Sequence, residues 1–408
     1  MWIDLDAPDA LKAHHVGGKA ASVARLRQAG LPVPMGWCLP QAVEAAWLAE
    51  ADVGTLIEAI GHGTDEQEWR RPAALLRARL ATTPLPDIEP LPSAEVALAV
   101  RSSARSEASG FAGQLSTFLG VRGTEALRTV IHACWLSRWS DAILRYAFGR
   151  RLGLDDLALA VVVQPMVAAI AAGGARTSEQ KVLVEAAWGL GRAVAEARVT
   201  PDAWCVAAGE VVARSAGRKP LAAVLDPNGG EMWRSVPANQ VEATCLSDDA
   251  VCEVARLARE AERVLGPCIE VEFAIDHSGR VWLLQGRLSA DVRSDAAAHG
   301  LEGARCLAGR PASRGQAIGT ARRCASSVEL RGDDVLVAEH LLPGAVAGLP
   351  RIAGLVLEAG GSTSHVANLA RERGIPAVLG ARGATQLIAD GSVVLVDGDA
   401  GRVWFSSA

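Results

Sequence analysis

The chain has 408 residues, enough for about two or three domains that each bury a core of their own. Half of the residues are hydrophobic, but no apolar run approaches the roughly 20 residues that a membrane span needs. The formal net charge is −5 and there is no basic tract, which argues against nucleic acid as a partner.

The cysteines and the first residues indicate a cytoplasmic protein. The eight cysteines are scattered, with no Cys-x-x-Cys pair and no His/Cys cluster at metal-ligand spacing. We therefore expect reduced, mostly buried thiols. The chain does not open with a basic segment followed by an apolar one, so we expect no secretory signal.

A glycine pair and a lysine precede the first amphipathic segment. Residues 20–28 have helical spacing, with Val23 and Leu26 on one face. Gly17-Gly18-Lys19 would then lie at the helix N-terminus, where unpaired N–H groups and an ammonium group suit a phosphate. A plain helix start is the alternative, because the motif lacks the distal glycine and the Lys-Ser/Thr pair of a P-loop.

A predicted strand over residues 96–100 leads into a loop rich in glycine and hydroxyl side chains. The loop begins with Arg101 and Arg105 and runs to residue 121, so it offers anion-binding groups on a mobile backbone. A loop of this kind can fold over a triphosphate and exclude water. A solvated surface loop is the alternative.

Two further apolar strands each carry one polar side chain. Residues 159–163 form a predicted strand that ends at Gln164, whose amide can read a purine edge or pair with the backbone. Residues 182–186 form another predicted strand, and it carries Glu185. The role of Gln164 stays open between those two readings.

Two alternating segments, residues 269–276 and 281–287, predict an antiparallel pair joined by a polar turn. In that register Glu272 and Gln285 lie across from each other, with Arg287 two residues along the same face. A carboxylate, an amide oxygen and a guanidinium group together suit Mg²⁺ and a polyphosphate. A cross-strand Glu–Arg ion pair is the alternative.

The last motif surrounds one histidine. Residues 352–357 predict a buried strand, which Gly360-Gly361 ends. Ser362-Thr363-Ser364 then offers N-cap oxygens for a helix over residues 365–373, which a glycine stops. His365 would lie in the first turn of this helix, where N–H groups and the helix dipole attract anions. A capping residue or a hydrogen-bonded surface histidine is the alternative.

The motif around His365 resembles the phosphohistidine swivelling domain of the phosphoenolpyruvate-utilising enzymes. That family includes pyruvate phosphate dikinase, phosphoenolpyruvate synthase and rifampicin phosphotransferase. Its signature reads Gly-Gly, two residues, Ser-His, then Ala-Arg-Glu, one residue and Gly-Ile-Pro-Ala-Val, and residues 360–378 match it throughout. By resemblance, His365 is the residue that becomes phosphorylated.

Earlier motifs resemble the nucleotide-binding domain of the same family. They are Gly-Gly-Lys-Ala at residues 17–20, Val-Arg-Ser-Ser-Ala at 100–104 and Leu-Gln-x-Arg at 284–287. The resemblance implies an α/β (α+β) fold in three parts. These are an ATP-grasp-like ATP-binding domain over residues 1–290, a linker over 291–304 and a small swivelling phosphohistidine β/α domain over 305–408.

The resemblance also implies ATP and Mg²⁺ as cofactors and gives each candidate residue a role. Glu272 and Gln285 are the expected metal ligands, and Gln164 lies beside the adenine. Glu185 is expected at the ribose hydroxyls or the adenine amino group. The residues expected to neutralise charge on the phosphates are Lys19, Arg101 and Arg287.

Three positions depart from the family pattern. Ala108 stands where the family usually has aspartate, in the loop expected to close over ATP. Arg176 stands where an aromatic side chain normally packs, and Leu288 replaces a proline at the exit from the ATP-binding domain. The sequence does not determine what these changes do.

The resemblance predicts a phosphotransferase that phosphorylates His365 from ATP, releases AMP and phosphate, and passes the phosphoryl group to a small-molecule acceptor. The family's large acceptor domain has no counterpart in this sequence, so two alternatives stay open. One is the donor component of a split synthase whose acceptor site lies on a partner subunit. The other is a nucleotide-sensing module that does not transfer phosphate.

Overall fold

The computed structural model describes residues 1–63, 65–88, 96–105, 116–289, 304–323, 330–341 and 352–405. Within these residues, no helix combines the length and the apolar character that crossing a membrane requires. The chain divides into two compact units. One comprises Met1–Ala168, Leu225–Met232 and Trp282–Arg287; the other comprises Ala169–Val224, Trp233–Val281 and Leu288–Ala408.

Two sequence predictions lie outside the described residues. They are the linker up to residue 303 and the loop over residues 106–115 that contains Ala108. The predicted domain boundaries beside that linker therefore stay predictions.

The first unit is built on an antiparallel sheet backed by helices. Its strands are β1 (Ile3–Asp4), β2 (Trp37–Leu39), β3 (Leu98–Ala104), β4 (Thr117–Val121) and β5 (Leu159–Pro165), in the order β1-β2-β5-β3-β4. Its helices are α1 (Ala13–Gln28), α2 (Gln41–Glu50), α3 (Gly54–His62), α4 (Glu66–Thr82), α5 (Thr124–Ser137) and α6 (Asp141–Gly149). The core contains three fully buried indoles, those of Trp47, Trp135 and Trp139.

The strand and the helix predicted in this unit are confirmed, but each begins at a different residue from the one predicted. The strand predicted over residues 96–100 is β3, which begins at Leu98 and continues to Ala104 because both of its faces are buried. The predicted helix over 20–28 is confirmed as the second part of α1. A short turn from Ala13 precedes it, and the backbone breaks between the two parts at Gly17.

The second unit contains an antiparallel sheet covered by one long helix. Its strands β6 (Ala169–Thr177), β7 (Lys181–Trp188), β8 (Asp202–Ala207), β9 (Glu210–Ser215) and β12 (Ile269–Asp276) lie in the order β12-β6-β7-β8-β9. The intervening elements are α7 (Arg192–Ala195), β10 (Leu221–Leu225), β11 (Glu231–Ser235) and α8 (Asp248–Leu265), of which residues 225–232, at the end of β10 and the start of β11, belong to the first unit. That long helix is α8, whose apolar face is buried from Val251 to Ala261.

The second unit also contains an eight-stranded sheet. Its strands are β14 (Arg305–Ala308), β15 (Arg310–Ser313), β16 (Gln316–Arg323), β17 (Asp334–Ala338), β18 (Gly354–Leu357), β19 (Ala377–Leu379), β20 (Val393–Asp397) and β21 (Arg402–Phe405). Their order is β14-β21-β20-β16-β17-β18-β19-β15.

Four strands of that sheet, β16 to β19, run parallel to one another, whereas β16 and β19 are antiparallel to their outer neighbours β20 and β15. Helix α9 (His365–Arg373) connects β18 to β19, and α10 (Ala384–Leu387) follows β19. The loop before α9 therefore lies at the carboxyl end of β18, which is where open α/β sheets usually carry their ligand sites.

Candidate active site

The glycine-rich start of α1 lies against the end of β3. Gly17 has φ 78°, and a Cβ atom there would lie 2.2 Å from the carbonyl oxygen of Ser103, so the position requires glycine. The backbone N–H of Ala20 donates to the Ser103 hydroxyl at 3.1 Å. Ser103 thus satisfies one of the unpaired N–H groups at the start of the second helical part. The sequence of residues 13–28 alone could not reveal this partner, because Ser103 is distant in the chain.

Two of the predicted phosphate-binding cations lie beside β3. The Lys19 ammonium donates to the Ser102 carbonyl oxygen at 2.8 Å. Arg101, the preceding residue on β3, is 8% exposed, and its Nη1 donates to the Leu284 carbonyl oxygen at 2.8 Å. The hydroxyl of Ser22, nearly one turn after Lys19, donates to the carbonyl oxygen of Gly286.

These contacts bring strand β13 (Val281–Leu288) into the first unit through its residues 282–287. Leu284 and Gly286 are the backbone neighbours of Gln285 and Arg287, whose side chains are half-buried. The structure therefore brings four of the candidate residues into one region. They are Lys19, Arg101, Gln285 and Arg287.

Gln164 lies inside β5 rather than at its end. Its side chain is buried, and its amide nitrogen donates to the Pro34 carbonyl oxygen at 2.9 Å. The sequence left two roles open for the Gln164 amide, and in the structure the amide pairs with the backbone. A contact with adenine stays a prediction.

In the second unit, three residues form a row across the sheet. Gly174 on β6 pairs with Glu272 on β12 and with Glu185 on β7. Directly paired residues of antiparallel strands project to the same face. Glu270, two residues before Glu272, shares that face as well.

The histidine loop, residues 360–365, lies over this row. The Glu185 carboxylate accepts from the backbone N–H of Ser362 at 3.0 Å, and from the N–H and hydroxyl of Thr363 at 2.8 and 2.9 Å. Gly174 leaves room for Thr363, because a Cβ atom at residue 174 would lie 2.8 Å from the Thr363 Cβ. Glu185 is thus buried beneath the loop.

Helix α9 begins and ends as the sequence predicts. The Ser364 hydroxyl is the N-cap and accepts from the Ala367 N–H at 3.2 Å. Gly374 closes the helix in the left-handed conformation, with φ 64°. His365 is the first helical residue and is partly exposed, so its ring lies where backbone N–H groups and the helix dipole favour an incoming phosphate.

The sequence did not reveal the three side chains that hold α9 to the first sheet of this unit, which are Arg371, Asn368 and Glu270. Arg371 donates to the Ser362 carbonyl oxygen at 2.8 Å and lies 3.4 Å from a Glu270 oxygen. The Asn368 amide donates to the other Glu270 oxygen at 3.3 Å. Arg371 lies in the Ala-Arg-Glu signature, and Glu270 shares a strand face with Glu272. Both residues could therefore have been proposed from motifs that the sequence already showed.

Glu272 and Gln285 are chemically suited to Mg²⁺. A carboxylate and an amide oxygen are hard ligands, and Mg²⁺ commonly combines one or two protein oxygens with phosphate oxygens and water. Glu272 belongs to the second unit and Gln285 to the first, so their use as a pair stays a prediction. Among the described residues, no group of three or more His, Cys, Asp or Glu side chains could hold a metal by itself.

A glycine-broken helix start beside two cations suits a polyphosphate, and a histidine in the first turn of a helix can act as a nucleophile toward phosphorus. Residues 13–303 match the AMP/ATP-binding domain of pyruvate phosphate dikinase, and residues 330–401 match the mobile domain of PEP-utilising enzymes. The chain belongs to this family of phosphoenolpyruvate-utilising dikinases and synthases. The predicted mixture of helices and sheets is confirmed, and so is an ATP-binding domain followed by the mobile domain of this family. The ATP-grasp-like topology of the first domain stays a prediction.

Two archaeal relatives match along nearly the whole chain. A probable phosphoenolpyruvate synthase of Methanothermobacter thermautotrophicus is 30% identical over 421 residues, which cover 96% of this chain and 61% of that protein. Phosphoenolpyruvate synthase of Aeropyrum pernix is 30% identical over 474 residues, covering 99% of this chain and 57% of that protein. The chain thus spans about three fifths of the length of these relatives.

A third relative carries a different name. The prodigiosin synthesizing transferase PigC of Serratia marcescens is 32% identical over 302 residues, covering 70% of this chain and 33% of that protein. Among solved structures, the D-alanine-D-alanine ligase from Coxiella burnetii covers 66% of this chain and 46% of its own, at 12% identity. Its TM-score of 0.24 is too low to support any inference.

Proposed function

We propose that this chain uses ATP and Mg²⁺ to phosphorylate His365, releases AMP and phosphate, and passes the phosphoryl group to a small-molecule acceptor. The observation that carries the proposal is the position of His365. It opens α9 on a loop that lies over the row containing Glu272, the expected metal ligand. A nucleophile placed there can meet the phosphates that Glu272 would help to bind through the metal.

The cations of the first unit support the same reading. Lys19, Arg101 and Arg287 would neutralise the charge that develops on the phosphates during transfer. Bound Mg²⁺ would supply further charge neutralisation there, held by Glu272 and Gln285. Gln164 is proposed to lie beside the adenine.

The half-reaction balances with one water molecule. A neutral ring nitrogen of His365 forms a bond to the β-phosphorus as the bond to AMP breaks. Water then removes the terminal phosphoryl group as phosphate, which leaves one phosphoryl group on the histidine. In the second half-reaction the N–P bond breaks as an acceptor oxygen bonds to phosphorus, and the ring nitrogen is regenerated.

The acceptor is the open part of the proposal. The relatives' names include phosphoenolpyruvate synthases and a prodigiosin synthesizing transferase, so acceptors differ within the family. A partner subunit that carries the acceptor site is the second candidate. A module that binds nucleotide without transfer is the third, and the intact set of candidate residues argues against it.

The test is intact-mass analysis of the purified chain after incubation with Mg²⁺ and ATP, with AMP measured in the same sample. We expect a gain of one phosphoryl group and one AMP per chain, both absent in His365→Ala. His277→Ala, at an exposed turn, is the matched control and should behave like the wild type. Nucleotide binding without phosphorylation would reject the proposal and leave the partner-dependent and nucleotide-sensing alternatives.

A further inference from the structure

Glu185 is placed to hold the histidine loop, not the nucleotide. We propose that Glu185 is a positioning residue that fixes the histidine loop for phosphorylation, in place of the ribose or adenine contact that the family resemblance implies. This inference rests on the proposed function, because it names the residue that presents His365 to ATP.

Both oxygens of the Glu185 carboxylate are engaged by the loop. Oε1 accepts from the Ser362 N–H, and Oε2 accepts from both the N–H and the hydroxyl of Thr363. The Arg310 guanidinium lies 3.5 Å from Oε1 and balances the charge of the carboxylate. Glu185 is 1% exposed, and hydrogen bonds to an ionised carboxylate are among the stronger ones in proteins. A carboxylate covered in this way has no open oxygen facing solvent for a ribose hydroxyl.

The histidine loop and the surface beneath it also match in shape. A Cβ atom at Gly361 would lie 2.7 Å from Glu185 Oε2, and one at Gly360 would lie 2.8 Å from the Ala197 Cβ. On the opposite surface, Gly174 leaves space that the Thr363 side chain fills. The Gly-Gly of the histidine signature is therefore explained by close approach, of Gly361 to Glu185 on the sheet and of Gly360 to Ala197 in the connection after α7.

A second contact prevents the loop from pivoting about Glu185. Glu270 is 6% exposed and receives the Asn368 amide and the Arg371 guanidinium of α9. Arg371 also donates to the Ser362 carbonyl oxygen, so the residue held by Glu185 is linked to the one held by Glu270. We call Gly174, Glu185 and Glu270 the docking face.

The docking face fixes His365 through the residues on both sides of it. Ser362 and Thr363 precede it, and Asn368 lies three residues after it on the same helix. Because Glu185 and Glu272 flank Gly174 in one row, the loop that Glu185 holds lies beside the expected metal ligand. Loss of Glu185 should therefore slow phosphorylation without weakening ATP binding.

The central experiment compares Glu185→Gln with the wild type in three measurements. The single-turnover rate of His365 phosphorylation should fall about 10- to 100-fold, because one acceptor oxygen is replaced by an amide donor facing backbone N–H groups. The dissociation constant of a nonhydrolysable ATP analogue should change less than about twofold. Hydrogen exchange of the backbone amides of Ser362 and Thr363 should become faster in the variant.

Two further variants separate docking from folding. Thr363→Val removes only the hydroxyl bond to Glu185 and leaves β7 unchanged, so it should show a smaller loss of rate with unchanged ATP binding. Gly174→Ala obstructs Thr363 without altering any charge and should show the same pattern. Glu210→Gln, an exposed carboxylate on β9, is the matched control and should leave all three measurements unchanged.

The outcomes are distinguishable. If Glu185→Gln weakens ATP binding in proportion to the rate and keeps the amides protected, Glu185 is a nucleotide ligand and the inference is overturned. Hydrogen exchange needs no ATP, so it tests docking separately. If the wild type forms no phosphohistidine but Glu185→Gln still exposes the two amides, the proposed function fails while the docking contact stands.

Discussion

At the scale of single residues, one buried ion pair in the second unit connects segments that are distant in the chain. Asp202 accepts from the Lys219 ammonium at 2.6 Å and from the backbone N–H groups of Gly217 and Cys245 at 2.7 and 2.8 Å. Lys219 and Asp202 are both fully buried. One carboxylate therefore joins three separate chain segments.

Removing that carboxylate should be strongly destabilising. Asp202→Ala leaves a buried ammonium and two buried N–H groups unpaired, so we expect a loss of about 3–5 kcal/mol. Urea unfolding followed by tryptophan fluorescence measures it, since Trp204 lies on the same strand. Asp249→Ala, an exposed carboxylate in the first turn of α8, is the control and should cost about 1 kcal/mol or less. Equal urea midpoints for Asp202→Ala and Asp249→Ala would contradict a stabilising role for the buried Asp202 carboxylate.

The cysteines differ in burial, and burial changes how readily a thiol ionises. Burial raises the pKa of the Cys134 thiol to about 12 and also raises the pKa of Cys38. A raised pKa keeps the thiol protonated through the neutral range, and the protonated form is a poor nucleophile. Cys306 is exposed on β14.

Thiol labelling at pH 8 should follow that order. We expect iodoacetamide to modify Cys306 within minutes and to leave Cys134 and Cys38 unmodified until the protein unfolds, as read by peptide mass mapping. Labelling in urea is the control, since all cysteines should then react. Modification of Cys134 in the folded protein at the rate of Cys306 would contradict the burial.

At the scale of elements, the break in α1 depends on a single glycine. Gly17→Ala combines a positive φ with a Cβ atom placed 2.2 Å from the Ser103 carbonyl oxygen, so the backbone before Lys19 must move. Gly30, just after the same helix, has φ 83° and nothing within 4 Å of a new Cβ. The two glycines therefore separate backbone strain from steric overlap.

We expect Gly30→Ala to cost roughly 1–2 kcal/mol and to leave ATP binding intact. Gly17→Ala should cost more and should weaken ATP binding at least about tenfold, because Lys19 shifts away from the phosphate site. Thermal unfolding and calorimetric titration with a nonhydrolysable ATP analogue measure both effects. Similar ATP affinities for the two variants would show that the α1 start does not bind phosphate.

The sequence predicted the elements whose ends are encoded locally. Ser364 and Gly374 mark the limits of α9, and the limits of α8 follow from its own residues in the same way, so local patterns suffice to place both helices. What the residues around Glu185 could not reveal is its partner, because Thr363 lies 178 positions away in the chain. Such a contact arises from packing of two sheets, and no local pattern records it.

Long-range packing also determines the positions of the residues that are proposed to bind ATP. The contacts of Lys19 and Arg101 with β3 and β13 were not foreseen, although the motifs containing them were recognised. Residue type and spacing identify what a side chain can bind, whereas its position depends on long-range packing. Gln164 illustrates the difference, since its amide is engaged by the Pro34 carbonyl oxygen.

At the scale of the whole molecule, a histidine that takes a phosphoryl group from ATP can react only once until an acceptor removes it. Without acceptor, we therefore expect a rapid burst of one AMP per chain followed by a halt, measured by quenched-flow chromatography. His365→Ala should give no burst. Addition of a true acceptor, supplied free or by a partner subunit, should restore steady AMP release.

The shape of that time course distinguishes the possible roles of this chain. Restart by a small molecule such as pyruvate would mean that the two units contain an acceptor site, whereas restart only by a second protein would place that site on a partner. Continuous AMP release without any acceptor would contradict a protected phosphohistidine, because it requires water to discharge the histidine as fast as ATP loads it.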